Sequence, residues 1–227
     1  MPQLSSEKYP DNNMINTLTG VIIMRMHQLL FEAKATKTVA IYPGRFHPFH
    51  KGHKFVYDYL SKKYGTVYIA TSDKQEEGSP FSFEEKKKMM ILTGVPADRI
   101  VNERQPYIAS NIVSRLDPKD TGVVFGVGKK DMEGDSPRFK IGLKKNGEPT
   151  YYQNNTDDKR THDEHGYLEV VPTQTFKVLG EPATSATELR RQYATLDDAS
   201  AIKFIEDLFG KHDVEVQNIM DDKLGRK

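Results

Sequence analysis

The sequence predicts an α/β fold: a doubly wound parallel sheet of five strands, with additional helices at its C-terminal end. Three observations carry this. Apolar or β-branched runs bounded by turn residues occur at 38–42, 66–71, 99–101, 122–127 and 167–172. Helical segments at 51–63, 82–93 and 109–116 separate the first four runs, which implies βαβ crossovers and a sheet covered on both faces. Helical segments at 183–194 and 199–209 follow the last run. Ligands of such sheets bind beyond the carboxyl ends of the strands, where the strand order reverses.

Residues 1–37 read as an N-terminal extension. Ser5, Ser6, Glu7, Lys8, Pro10, Asp11, Asn12 and Asn13 form a polar opening, and 17–35 suits a helix that packs on the domain. Leu30-Phe31-Glu32-Ala33 resembles the cut site of the head-maturation proteases of tailed phages, although a plain helix segment is the simpler reading. The domain proper is 38–227. Its second helix carries Ser82 and Glu85 at capping-box spacing and stops at Gly94; Asp117-Pro118 ends the third. Residues 129–166 form a polar insertion with eight basic, eight acidic and six strongly apolar residues, too few for a core of its own. A solvated surface loop is expected there, with a hairpin around Lys145-Asn146-Gly147. Ser185 and Glu188 form a second capping-box pair, and Ile202, Ile205, Leu208 and Phe209 share one face of the following helix. The charged segment 212–227 is expected to pack loosely or fray.

Composition narrows the function classes. An apolar fraction of 37% in 227 residues supports one sizeable core. Basic and acidic side chains number 33 and 32, so the net charge of +1 argues against a nucleic-acid partner. The absence of cysteine excludes disulfides and thiolate zinc sites and suits a reducing, cytoplasmic setting. The apolar run 18–30 is interrupted by Arg25, His27 and Gln28 and is too short to span a bilayer, so no membrane association is expected.

The chemistry concentrates in Tyr42-Pro43-Gly44-Arg45-Phe46-His47-Pro48-Phe49-His50-Lys51-Gly52-His53, between the first strand and the first helix. Gly44 permits a tight path, and the free amides of the opening helix favour a phosphate. His50 and His53, three apart, reach one side and can donate to that phosphate. Gly52 leaves room for close approach, while Arg45 and Lys51 add positive charge. His162-Asp163-Glu164-His165 lies in the polar insertion and is read as a surface coincidence; no residue is assigned as a metal ligand.

Residues Gly44 to His53 fill every fixed position of G-x-F-x-P-x-H-x-G-H and so resemble the signature of the nucleotidylyltransferase superfamily, which shares a Rossmann-like fold. Thr184-Ser185-Ala186-Thr187-Glu188-Leu189-Arg190 is similar to that family's late Ser/Thr-rich, arginine-ending stretch. The resemblance covers about 38–191. It implies that an acceptor phosphate oxygen attacks the α-phosphorus of a nucleoside triphosphate and releases pyrophosphate. His50, His53, Lys51 and Arg190 would be catalytic; Gly44, Arg45, Phe46, Gly52, Ser185 and Thr187 would join them in binding the nucleotide. Magnesium would arrive with the triphosphate.

Within the superfamily the closest resemblance is to archaeal-type nicotinamide-nucleotide adenylyltransferases. These read G-R-F-Q-P-F-H-x-G-H where this chain has His47 for Gln, and N-P-F-T-x-x-E-R where it has Ser79-Pro80-Phe81-Ser82-Phe83-Glu84-Glu85-Lys86. ATP and nicotinamide mononucleotide are the expected substrates. A cytidylyltransferase acting on a phosphoalcohol, and a non-catalytic nucleotide-binding or structural protein, are the alternatives. A class I aminoacyl-tRNA synthetase shares a related turn, but the chain is short and has no Lys-Met-Ser-Lys-Ser-like loop. After the fourth strand an expected Asn-Pro segment is replaced by Gly126-Val127-Gly128-Lys129-Lys130-Asp131. Lys129, Asp131 and Arg138 are therefore the candidate acceptor contacts, with Tyr151 or Tyr152 to stack on a ring. The sequence leaves a homo-oligomer open.

Overall fold

The computed structural model describes residues 34–133, 136–183 and 185–226. Thr184, most of the N-terminal extension and the protease-like stretch at 30–33 lie outside the described residues. Six strands form one parallel sheet: β1 (Lys37–Pro43), β2 (Thr66–Thr71), β3 (Ile100–Asn102), β4 (Thr121–Val127), β5 (Tyr152–Asn154) and β6 (Gly166–Val170), in the order β3-β2-β1-β4-β6-β5. All pairings are parallel. The order reverses at β1, whose register pairs Tyr42 with Ile69 on one side and Ile41 with Phe125 on the other. The crevice between the carboxyl ends of β1 and β4 is thus the expected ligand position of this architecture.

Five strands were expected and the sixth comes from the insertion. Its few apolar residues do not build a separate core. Instead Phe139 and Tyr152 pack against Val123, Phe125 and Leu168 on one face of the sheet, and β5 pairs with β6. The hairpin at 144–148 forms as expected, with Gly147 donating to the Lys144 carbonyl at 2.9 Å. His162 is buried rather than on the surface. Residues 34–36 also join the body of the domain: the amides of Ala35 and Thr36 donate to the carbonyls of Lys159 and Asp120.

Helix α1 (Lys51–Tyr64) follows β1 and buries Gly52, Val56, Tyr57 and Leu60, a helical stripe laid on the opposite face of the sheet from β5's contacts. Full burial of Leu60 is worth about 1.5–3 kcal/mol. Helix α2 (Phe83–Leu92) starts at a complete capping box of Ser82 and Glu85. Helix α3 (Ser110–Val113) is shorter than expected because Ala109, at φ 54°, begins it in the left-handed region and the buried carboxylate of Glu103 takes its free amides, Asn111 N at 3.1 Å and Ile112 N at 2.8 Å. Helix α4 (Lys129–Met132) follows β4.

A short β7–β8 hairpin (Lys177–Val178 and Glu181–Pro182) leads to α5 (Ala186–Tyr193), α6 (Asp198–Phe209) and α7 (Val214–Leu224). Ser185 caps α5, but Glu188 gives its carboxylate to Arg191 at 2.9 Å, so the second capping box is only half formed. The last helix packs firmly, contrary to expectation. Val216 and Met220, one turn apart, bury against α6, and Asp221 takes hydrogen bonds from Tyr193 and Arg226.

Candidate active site

The segment 44–50 is held by its own rings. Phe46 carries the left-handed conformation, φ 54°, that a glycine usually takes. Its ring is buried and packs edge-on against Tyr42, Phe49 and His53, with the His53 centroid 5.0 Å away. Gly44 is required for this reason: a Cβ there would lie 2.5 Å from the Phe46 ring. The strain thus sits two residues beyond the expected position.

His50 caps α1, its Nδ1 accepting from the His53 amide at 3.4 Å. That acceptor role places the proton of a neutral His50 on Nε2, where it can be donated outward. The His50 and His53 rings stack with centroids 3.7 Å apart. Burial holds the His50 pKa down at about 4. The His53 pKa is pushed well below the ordinary value, by burial first and by the adjacent His50 second. Both imidazoles are therefore neutral N–H donors at physiological pH. His53 Nδ1 is buried without a hydrogen-bond partner among the described residues, a polar atom at the cleft awaiting one.

Gly52 serves packing more directly than ligand approach, since a Cβ would lie 2.9 Å from Phe176 and 3.1 Å from the His50 ring. Phe176 covers the pair from the segment before β7: it lies 4.9 Å from His50 and carries the Lys51 ammonium 5.4 Å from its ring centre. Two further cations converge. Arg45 is exposed at the cleft, and Arg190 on α5 donates to the His47 carbonyl at 2.6 Å and to Thr187 Oγ1 at 3.3 Å. Arg190's charge is disfavoured by burial and then by Arg45, which means the two guanidiniums share one field and would gain from an anion between them. His47 is sealed beneath. Its Nδ1 accepts from the Phe81 amide, its ring stacks on Phe81, and burial together with Lys86, Arg190 and Arg45 lowers its pKa to about 3.

The cleft, of about 330 Å³, lies at the strand-order reversal. Gly44, Arg45, Phe46, His50, Gly52, His53 and Asp131 line it, as do residues that sequence reasoning missed: Tyr107 after β3, Gly126 and Gly128 at the end of β4, and Thr173 and Gln174 after β6. The rule that ligands lie past carboxyl strand ends was the available signal for these. Of the acceptor candidates, Asp131 faces the cleft, accepting from Gly128 N at 3.3 Å and Arg138 Nε at 2.8 Å. Arg138 lays its guanidinium 4.1 Å above the Tyr107 ring, whereas Lys129 is exposed and paired with Glu133. Tyr152 does not stack in the cleft; its hydroxyl donates to the Tyr107 carbonyl, and Tyr151 donates to that of His162. Ser185 caps α5 and Thr187 stands in its first turn.

A parallel α/β sheet with two neutral imidazoles at a helix start and Arg45 on the cleft wall at the switch point is an arrangement suited to anionic, phosphate-bearing ligands. Residues 41–191 match the family described as cytidylyltransferase-like, and the chain belongs to that family of nucleotidyltransferases. Solved structures that it resembles include a bifunctional NMN adenylyltransferase/ADP ribose pyrophosphatase from Francisella tularensis, at 18% identity and TM-score 0.49 over 83% of this chain. This chain spans about half of that protein, 51% of its length. A nicotinic acid mononucleotide adenylyltransferase from Plasmodium falciparum, complexed with NaAD, matches at 15% identity and TM-score 0.49, over 85% of this chain and 99% of that one. An enzyme described as a nicotinate-nucleotide adenylyltransferase from Vibrio parahaemolyticus matches at 12% identity and TM-score 0.45, over 85% and 97% of the two chains. No helix among the described residues is long and apolar enough to cross a membrane.

Proposed function

We propose that this protein transfers the adenylyl group of ATP to a small acceptor bearing a phosphate, with nicotinamide mononucleotide as the acceptor that fits best. The observation that carries the reading is the stacked, neutral His50–His53 pair at the start of α1, with Arg45 on the same cleft and Arg190 bonded to the His47 carbonyl of the same turn. An acceptor phosphate oxygen, anionic near neutral pH, attacks the α-phosphorus; the bond to the β-phosphate oxygen breaks and pyrophosphate leaves. No proton needs to move, so neutral donors suffice where a carboxylate base would repel the substrates. His50 Nε2–H and His53 stabilise charge on the α-phosphate oxygens in the transition state. Arg190, Lys51, Ser185 and Thr187 hold the β- and γ-phosphates against departure in the wrong direction.

No group of three or more His, Cys, Asp or Glu side chains able to hold a metal occurs among the described residues. Magnesium would enter as part of the substrate, the magnesium salt of the triphosphate, bound mainly through phosphate oxygens and water. On the acceptor side the Tyr107 ring and the Asp131 carboxylate, which retains free lone pairs, suit a ribosyl phosphate with hydroxyls to donate. ATP and a pyridine mononucleotide are favoured by the resemblance of 44–53, 79–86 and 185–191 to the archaeal-type adenylyltransferases.

Pyrophosphate release from ATP or CTP with nicotinamide mononucleotide, nicotinic acid mononucleotide or glycerol phosphate tests the proposal. Release with ATP and a pyridine mononucleotide is expected. Release only with CTP and glycerol phosphate would make the protein a cytidylyltransferase, and none with any pair would make it a binding protein.

A further inference from the structure

Helix α2 buries Phe83, Lys86, Met89 and Met90, one helical stripe in which a lysine takes a core position. The Lys86 side chain is completely inaccessible to solvent. A buried ammonium normally has a carboxylate partner. This one forms no ion pair among the described residues, and its acceptors are three uncharged oxygens: the Arg45 carbonyl at 3.3 Å, Thr71 Oγ1 at 3.0 Å, and the Ser72 carbonyl. Thr71 Oγ1 in turn donates to the Arg45 carbonyl at 3.3 Å. All three oxygens sit at the carboxyl end of β2 or in the turn that carries Arg45, His47 and His50. Arg190 fastens that same turn from the opposite side, through the His47 carbonyl.

We propose that Lys86 is a positioning residue for nucleotidyl transfer: its ammonium pins the Arg45 carbonyl to the end of β2 and so sets the path of the turn that presents His50 and His53. The inference rests on the function proposed above. It assigns Lys86 a role that a core lysine with a merely structural part would not have, because pinning by charge depends on protonation. Burial lowers the Lys86 pKa to about 8, with Asp73 opposing the shift. The charged and titratable groups facing it are His47 on the turn and Asp73 beyond β2, while the Arg45 side chain is exposed and turned to Glu76. His47, held at about 3, stays neutral throughout the alkaline range.

The test measures pyrophosphate release and ATP binding against pH for the full-length parent, Lys86→Met and Lys86→Arg. The parent should lose turnover as pH rises through about 8. Lys86→Arg, which stays charged, should keep activity and lose that alkaline limb. Lys86→Met should drop kcat by roughly 100-fold, the scale of a misplaced catalytic group, while the KM for ATP changes by less than about threefold. Lys86→Met kinetics equal to the parent, or an alkaline limb that Lys86→Arg leaves unmoved, would overturn the inference and leave the proposed function standing. If Lys86→Met does not fold, the Lys86→Arg profile decides alone; if that variant fails too, a parent profile flat between pH 7 and 9 overturns the inference. A parent that binds no ATP and releases no pyrophosphate would overturn the function and this inference together.

Discussion

Replacing His53 by alanine removes one of two stacked donors while leaving the helix cap, His50 Nδ1 to the His53 amide, in place. The loss of one preorganised donor to a developing oxyanion costs about 2.7–4 kcal/mol, so kcat should fall roughly 100- to 1,000-fold. In the proposed mechanism the ground-state hold on the triphosphate rests on Arg190, Lys51 and the start of α5, so the KM for ATP should stay within about threefold. The ring also packs on Phe46, Phe49 and His50, and deleting it opens a small cavity costing about 1–2 kcal/mol. For a domain of this size that lowers Tm by roughly 2–8 °C, which leaves the protein folded at assay temperature. Steady-state pyrophosphate release at saturating substrates, with circular dichroism melting alongside, is the assay. A kcat within tenfold of the parent in a folded variant would remove His53 from the catalytic set.

Arg190→Ala should raise the KM for ATP at least tenfold with a smaller change in kcat, measured by initial rates; an unchanged KM would reduce α5 to a capped helix. Gly52→Ala should lower kcat/KM by roughly tenfold or more, because its Cβ would meet Phe176 and His50 at 2.9 and 3.1 Å. Adding Phe176→Ala should restore part of that loss, and a double variant no better than the single would refute the packing explanation. Stability should fall with acidity. The folded-state pKa values of His47 and His50 are depressed to about 3 and 4 from an ordinary 6.5, so the unfolded chain takes up protons first as pH drops below 6.5. Their contribution is fully present above 6.5 and is lost as pH falls through about 4 for His50 and about 3 for His47, with Tm dropping roughly 10 °C between pH 7 and 4.5. The variant His47→Gln should flatten that slope, and an identical slope would contradict the assignment.

The sheet was legible because β1, β2 and β4 are largely apolar or β-branched runs and β6 is broken only by Glu169, whose buried carboxylate accepts from Tyr59, Lys63 and Tyr64, and buried parallel strands leave that mark. β5 was not, because Tyr152-Gln153-Asn154 is an edge strand of three residues whose apolar side is supplied by Phe139 and Phe125 from elsewhere in the chain. The last helix was underrated for a related reason. Val216 and Met220 make only a thin stripe, and Asp221 and Arg226 look like solvated charges until Tyr193 and Asp198 are brought beside them. In the candidate site the proposed nucleotide side comes from two short stretches, 44–53 and 185–190, and each displayed its residues together. The opposite wall of the cleft, the acceptor side of the proposed reaction, is assembled from Tyr107, Gly128, Asp131 and Gln174, and no short pattern unites them. Lys86 was hidden among three consecutive lysines, only its spacing from Phe83 and Met89 marking it as inward-facing.

Nucleotidyl transfer makes one demand that no other use of this cleft makes, namely that the α-phosphate and its nucleoside end on the acceptor. ATP labelled at the α-phosphorus, incubated with magnesium and nicotinamide mononucleotide, should yield a labelled dinucleotide. ATP labelled at the γ-phosphorus should yield only labelled pyrophosphate. Label from the γ position on the acceptor, or no α label on any phosphate acceptor, would contradict the account.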